Sequence, residues 1–101
     1  MAQIIWTEPA LNDLDEIAQY IALSNLKAAQ SLVKRIFDKV ERLTEHPESG
    51  RIPPEIDYLN YREVVVYPCR IFYKIKDGEV YILFVMRQEQ DLNKYIFKFK
   101  E

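Results

Sequence analysis

Glycine occurs only twice in the 101 residues, as Gly50 and Gly78, which excludes a flexible linker or low-complexity chain and fits a compact mixed fold. Cysteine occurs once, so Cys69 has no partner for an internal disulfide. With a single histidine, His46, there is also no Cys/His spacing for a metal site, and neither metal nor cofactor is expected. His46 precedes Pro47 and reads as a loop residue rather than a catalytic one. No apolar run is long enough to span a membrane, and the start, MAQIIWTEPALNDL, lacks a basic n-region, so the expected location is the cytoplasm. A basic excess is missing too: 14 Lys and Arg stand against 16 Asp and Glu, a formal charge of -2. Proteins that grip nucleic acid through phosphates normally carry that excess, so strong direct binding is not expected without a locally basic patch.

What remains is one domain, residues 1–101, large enough for a single core. Gln3 to Trp6 has β propensity and suits a strand that joins a later sheet. Thr7 offers an N-cap hydroxyl, with Glu8 and Pro9 suited to a first helical turn. Leu11, Leu14, Ala18 and Ile21, widened by Ala10 and Ile17, then form a helical stripe to about Leu23, with Asn12, Asp13, Asp15, Glu16 and Gln19 outside it. After a cap at Ser24 or Asn25, a second helix carries Ala29, Val33, Ile36, Val40 and Leu43, with Leu32 and Phe37 alongside. So short a connection predicts an antiparallel helical hairpin. Trp6, Tyr20 and Phe37 are expected in the core. The Pro-rich stretch from Thr44 to Leu59 reads as a surface loop.

From Arg62 to Leu92 the pattern is three antiparallel strands. The Asp77-Gly78 pair supplies the positive φ angles of a type I′ turn. Pairing Lys76 with Glu79 sets Tyr73 opposite Ile82, Phe72 opposite Leu83 and Arg70 opposite Val85. Ile71, Tyr73, Ile75, Val80, Ile82, Phe84 and Met86 then form an apolar face for the helices. The opposite face, Arg70, Phe72, Lys74, Tyr81, Leu83, Val85 and Arg87, is expected to stay open and bind a partner. In that register Arg70 and Arg87 share a face and could hold one anion; the plainer alternative pairs them with Glu63, Glu89 or Asp91. A first turn at Pro68-Cys69 would put Lys74 opposite Glu63. Arg62 falls on the helix side, suited to anchoring the loop, and Arg51 within that loop suits either role. The tail after Leu92, NKYIFKFKE, fits a further strand or a helix end. The architecture predicted is α+β, with a strand, a helical hairpin and a three-stranded meander, helices packed on one face.

These pieces together resemble the RelE/ParE superfamily of toxins from bacterial type II toxin-antitoxin systems. The likeness runs through Trp6-Thr7, Ala10, Asp13-Leu14, Ile17 and Tyr20-Ile21, then His46-Pro47 with Gly50-Arg51. It continues through Arg62-Glu63, Arg70-Ile71 with Tyr73, and Asp91-Leu92, and is closer to the ParE branch. The resemblance implies a toxin that inhibits DNA gyrase and is neutralised by a cognate antitoxin, whose flexible C-terminal segment folds onto it. The RelE branch implies instead a ribosome-dependent endoribonuclease. That chemistry needs a proton acceptor and cationic groups for the phosphate, for which Arg70, Arg87 and Tyr95 are the candidates. Tyr61 and Glu63 stand where that branch has lysines, and a carboxylate there repels phosphate. A third implied reading is an attenuated toxin fold kept as a binding module.

Overall fold

The computed structural model describes residues 1–90 and 92. Strand β1 (Ile4–Trp6) leads into helices α1 (Glu8–Ala22) and α2 (Leu26–Glu41). Three short 3₁₀ turns, Arg42–Thr44, Pro47–Ser49 and Pro54–Ile56, carry the chain to β2 (Arg62–Val66), β3 (Cys69–Lys76) and β4 (Glu79–Arg87). The four strands lie in the order β1-β4-β3-β2. The meander is antiparallel, whereas β1 joins the free edge of β4 in parallel. The helical hairpin is what makes that return possible, because parallel neighbours need a long crossover.

Local chemistry sets the element ends. Thr7 caps α1 by accepting the Ala10 N–H, and Asn25 caps α2 by accepting the Ala28 N–H, each relieving an unpaired amide of the first turn. Asp77 (φ 53°) and Gly78 (φ 77°) both take the left-handed conformation that the two-residue turn requires. Lys76 pairs with Glu79 and Tyr73 with Ile82, as the turn predicts.

Beyond that point the predicted register fails. A β-bulge at Leu83 puts Phe72 opposite Phe84, Ile71 opposite Val85, Arg70 opposite Met86 and Cys69 opposite Arg87. Since side chains alternate across a strand, one extra residue moves everything after it to the other face. Phe84 and Met86 therefore leave the helix side, and Val85 joins it. The bulge is held by α1: Thr7 Oγ1 donates to the Ile82 carbonyl at 2.7 Å, and Asp13 Oδ2 accepts the Val85 N–H at 3.1 Å. Asp13 thus faces the sheet rather than solvent.

The first turn of the meander is Tyr67-Pro68, one residue earlier than predicted, with Val66 paired to Cys69 and Glu63 to Phe72. Lys74 accordingly lies beyond the end of β2 and pairs with Tyr81, not Glu63.

Two apolar clusters flank the sheet. The first joins Ala10, Leu14, Ile17, Leu32, Ile36 and Val40 of the hairpin to Val64, Val66, Ile71, Tyr73, Val80, Ile82 and Val85. The second covers the face predicted to be open. Ile56 of the last 3₁₀ turn and Leu92 pack on Phe72, Leu83, Phe84 and Met86, with Leu59, Tyr61 and Tyr81 at the margin. Of the aromatics expected in the core, Trp6 meets a part-exposed Phe37 with the rings tilted and 4.9 Å between centroids, and Tyr20 lies exposed on α1.

Candidate functional site

The segment from Gly50 to Leu59 is a strap that reaches the second sheet face and is tied to the sheet at its start. Tyr73, pointing out of β3 towards the loop, donates its hydroxyl to the Pro47 carbonyl at 2.7 Å and accepts the Gly50 N–H at 2.9 Å. The approach is so close that a Cβ on Gly50 would lie 2.7 Å from the Tyr73 ring and 2.8 Å from the Glu63 carbonyl oxygen. Burial raises the pKa of that phenol, so it stays protonated and keeps its donor. Arg62 donates to the Glu48 and Gly50 carbonyls, the loop-anchoring role its helix-side position predicts. Next, Arg51 and Glu63 exchange two backbone hydrogen bonds, at 3.0 and 2.8 Å, on the outer edge of β2.

Four charged side chains then converge. Glu63, fully buried, accepts from Arg51 Nε at 2.6 Å and from Arg70 Nε and Nη2 at 2.7 and 3.1 Å. The outer edge of the Arg70 guanidinium meets Glu55, with Nη1 and Nη2 donating to its two carboxylate oxygens at 2.9 and 3.0 Å. Arg70 also lies 5.0 Å from the centre of the Phe72 ring. Two cations and two carboxylates balance, which lets the cluster sit at the rim of an apolar layer. The hydrogen bonds that Arg70 donates to Glu63 and then to Glu55 raise its pKa, and Arg70 in turn lowers that of Glu55.

Sequence patterning offers the Arg70–Glu63 pair but misses the other half of this cluster. Arg51 and Glu55 lie in a stretch without periodicity, and their meeting with Arg70 depends on how the loop folds back. Pro54, opening its 3₁₀ turn, is the one local hint of order there.

The other predicted residues are dispersed. Arg87, one bulge removed, lies on the helix side of the sheet; it covers the Tyr20 ring at 4.9 Å and pairs with Glu89 at 3.2 Å. Arg70 and Arg87 therefore do not share an anion, and each has the acidic partner of the plainer reading. Phe72 and Leu83 are buried beneath the strap, and Val85 beneath the helices, so none of the three forms an open partner surface. Lys74 and Tyr81 are half-buried; the Tyr81 hydroxyl donates to Glu79, which raises its pKa. Tyr95 lies outside the described residues. Burial, with Glu89 adding to it, pushes the Cys69 thiol up to about 11, far from a nucleophile at neutral pH. Among the described residues no group of His, Cys, Asp and Glu is placed to hold a metal ion, and no helix is long and apolar enough to cross a membrane.

Apolar surface is exposed on the helical hairpin as well as at Ile52, Tyr58 and Tyr67. Ala18, Ala22, Leu26, Ala29 and Val33 line an open groove of about 420 Å³ between α1 and α2, beside the exposed Leu23. A smaller groove beside β2 is lined by Arg35, Lys39 and Arg42, with Asp38 among them.

Comparison with known proteins agrees with this fold. Residues 4–92 match the family described as ParE toxin of type II toxin-antitoxin system, parDE. Toxin RelE2 of Caulobacter vibrioides is 38% identical over 84 residues, covering 82% of this chain and 91% of that protein. A solved structure of the chromosomal ParDE TA system from P. aeruginosa superposes with a TM-score of 0.71 at 26% identity, covering 88% of this chain and 98% of that one. A mutant of E. coli toxin RelE in the free state, 15% identical with a TM-score of 0.62 and coverage of 97% and 93%, shares the fold.

Proposed function

The chain belongs to the ParE family of type II toxin-antitoxin toxins, and from that premise we propose that it arrests growth by protein contact with DNA gyrase and is neutralised by a cognate antitoxin. The observation that carries the choice of target is the state of Arg70. A nuclease that cuts through a ribose 2′-hydroxyl needs cations free to meet the developing phosphate charge. Here the strand-starting arginine is engaged on both edges by Glu63 and Glu55, and Glu63 itself occupies β2 where the nuclease branch needs a base or cation. The similarity to a protein named RelE2 keeps the messenger-RNA endoribonuclease as the alternative.

Neutralisation is supported by the exposed groove of the helical hairpin. An amphipathic helix of the antitoxin would cover its apolar lining, which no described element covers. Lys74, Tyr81 and Arg87, which keep part of their surface exposed, lie outside that groove and are available to a further contact.

Purified gyrase, relaxed plasmid and ATP provide the test. Supercoiling should fall with increasing toxin and recover when the antitoxin is added. Unimpaired supercoiling at a large molar excess of folded protein rules the gyrase reading out; cuts in translated messenger RNA, mapped by primer extension, would then establish the alternative.

A further inference from the structure

The Arg51–Arg70 pair has the construction of a binding site rather than of a plain ion pair. Its base is Glu63, whose side chain is 0% exposed and which holds both guanidinium groups. Because Arg70 is fixed through its inner edge, at 8% exposure, its outer fork of two N–H groups keeps its position whatever lies in front of it. Arg51 is 62% exposed and, among the described residues, uses only its Nε–H on Glu63. Its charge adds, after that of Arg70, to what lowers the pKa of Glu55.

What lies in front of the fork is Glu55, 37% exposed and carried on the three-residue turn Pro54–Ile56. The residue that roots this turn is its neighbour Ile56, fully buried in the second cluster. Glu55 can therefore swing into solvent while the strap stays seated. We propose that Arg51 and Arg70 form a carboxylate-binding site for an acidic side chain of a protein partner, closed in this structure by the chain's own Glu55.

Charge decides the ligand class. Without Glu55 the two arginines and Glu63 leave one positive charge, which one carboxylate neutralises as Glu55 does. A phosphate dianion would leave a surplus negative charge beside the buried Glu63. Displacement is an exchange of like for like: the incoming carboxylate takes the fork and Glu55 returns to water. A carboxylate already oriented against the fork by its own chain competes far more effectively than the same group free in solution, so only a carboxylate presented within a larger interface wins. That the partner is the antitoxin rests on the toxin-antitoxin reading; the site itself does not.

Arginine-labelled protein, followed at the Nε–Hε resonances while sodium acetate replaces chloride at constant ionic strength, tests the site with the simplest carboxylate. Wild type should show no saturable shift up to about 100 mM, whereas Glu55→Gln should saturate with an affinity at least about tenfold higher, the scale of one charge-assisted bond. Arg51→Gln added to Glu55→Gln should reverse the gain. If Glu55→Gln does not fold, Glu55→Ser gives the same reading. The proposal is overturned if the Glu55 variant gains no saturable response, if loss of Arg51 leaves the gain intact, or if inorganic phosphate saturates the site and acetate does not.

Discussion

Glu55 is the one carboxylate of the charged cluster with substantial exposure, and its carboxyl couples the strap to pH. The hydrogen bond from Arg70, opposed by burial, holds it below its ordinary value of 4.5. With the folded-state pKa depressed, the unfolded chain takes up the proton first. The contribution of Glu55 to stability is thus fully present above 4.5 and is lost as pH falls through the lower, folded value. Urea titrations of wild type and Glu55→Gln should therefore differ by a constant amount above about pH 6, and the gap should shrink towards about pH 3. A gap unchanged down to that acidity would show that the ion pair does not couple to folding. Glu63 has no comparable exposure: it is enclosed by two arginines, and its burial is tolerable only because both are present.

At the scale of elements, the bulge in β4 decides which residues face the helices. An extra residue in a strand leaves irregular backbone groups, and buried groups of that kind need partners. Thr7 and Asp13, both contributed by the start of α1, bind the Ile82 and Leu83 carbonyls and the Val85 N–H. This gives a physical reason for a threonine cap followed by an acid six residues later, beyond helix propensity. Asp13→Ala should lower stability by about 1 to 3 kcal/mol, the range for a buried group left without its hydrogen bond. In hydrogen exchange the Val85 amide should lose protection first. Equal loss across all of β4 would mean that Asp13 supports the helix and not the bulge.

For the molecule as a whole, the strap turns a sheet with one covered face into a three-layer arrangement. Its Ile56 side chain is fully buried, set against Phe72, Leu83, Phe84 and Met86. Ile56→Ala should cost about 2 to 5 kcal/mol, as for other buried aliphatic truncations. It should also make the 51–60 segment the earliest site of limited proteolysis. If cleavage begins in the helical hairpin instead, the strap is not the weak layer. With most of this face covered, the groove between α1 and α2 offers one apolar surface to a partner.

The sequence by itself determined the element order, both helix caps, the Asp77-Gly78 turn and its register as far as Ile82, because each follows from contacts within a few residues. It also excluded a disulfide, since one cysteine has no internal partner. Only the tertiary structure decided that β1 runs parallel to β4, that Leu83 bulges, and that Arg51 and Glu55 close over Arg70. Those three depend on residues far apart in the chain, and no local period or propensity records them. The bulge shows the consequence most plainly: one unpaired residue after Ile82 reversed the facing of Phe84, Val85, Met86 and Arg87, and a surface expected to be open became a buried layer.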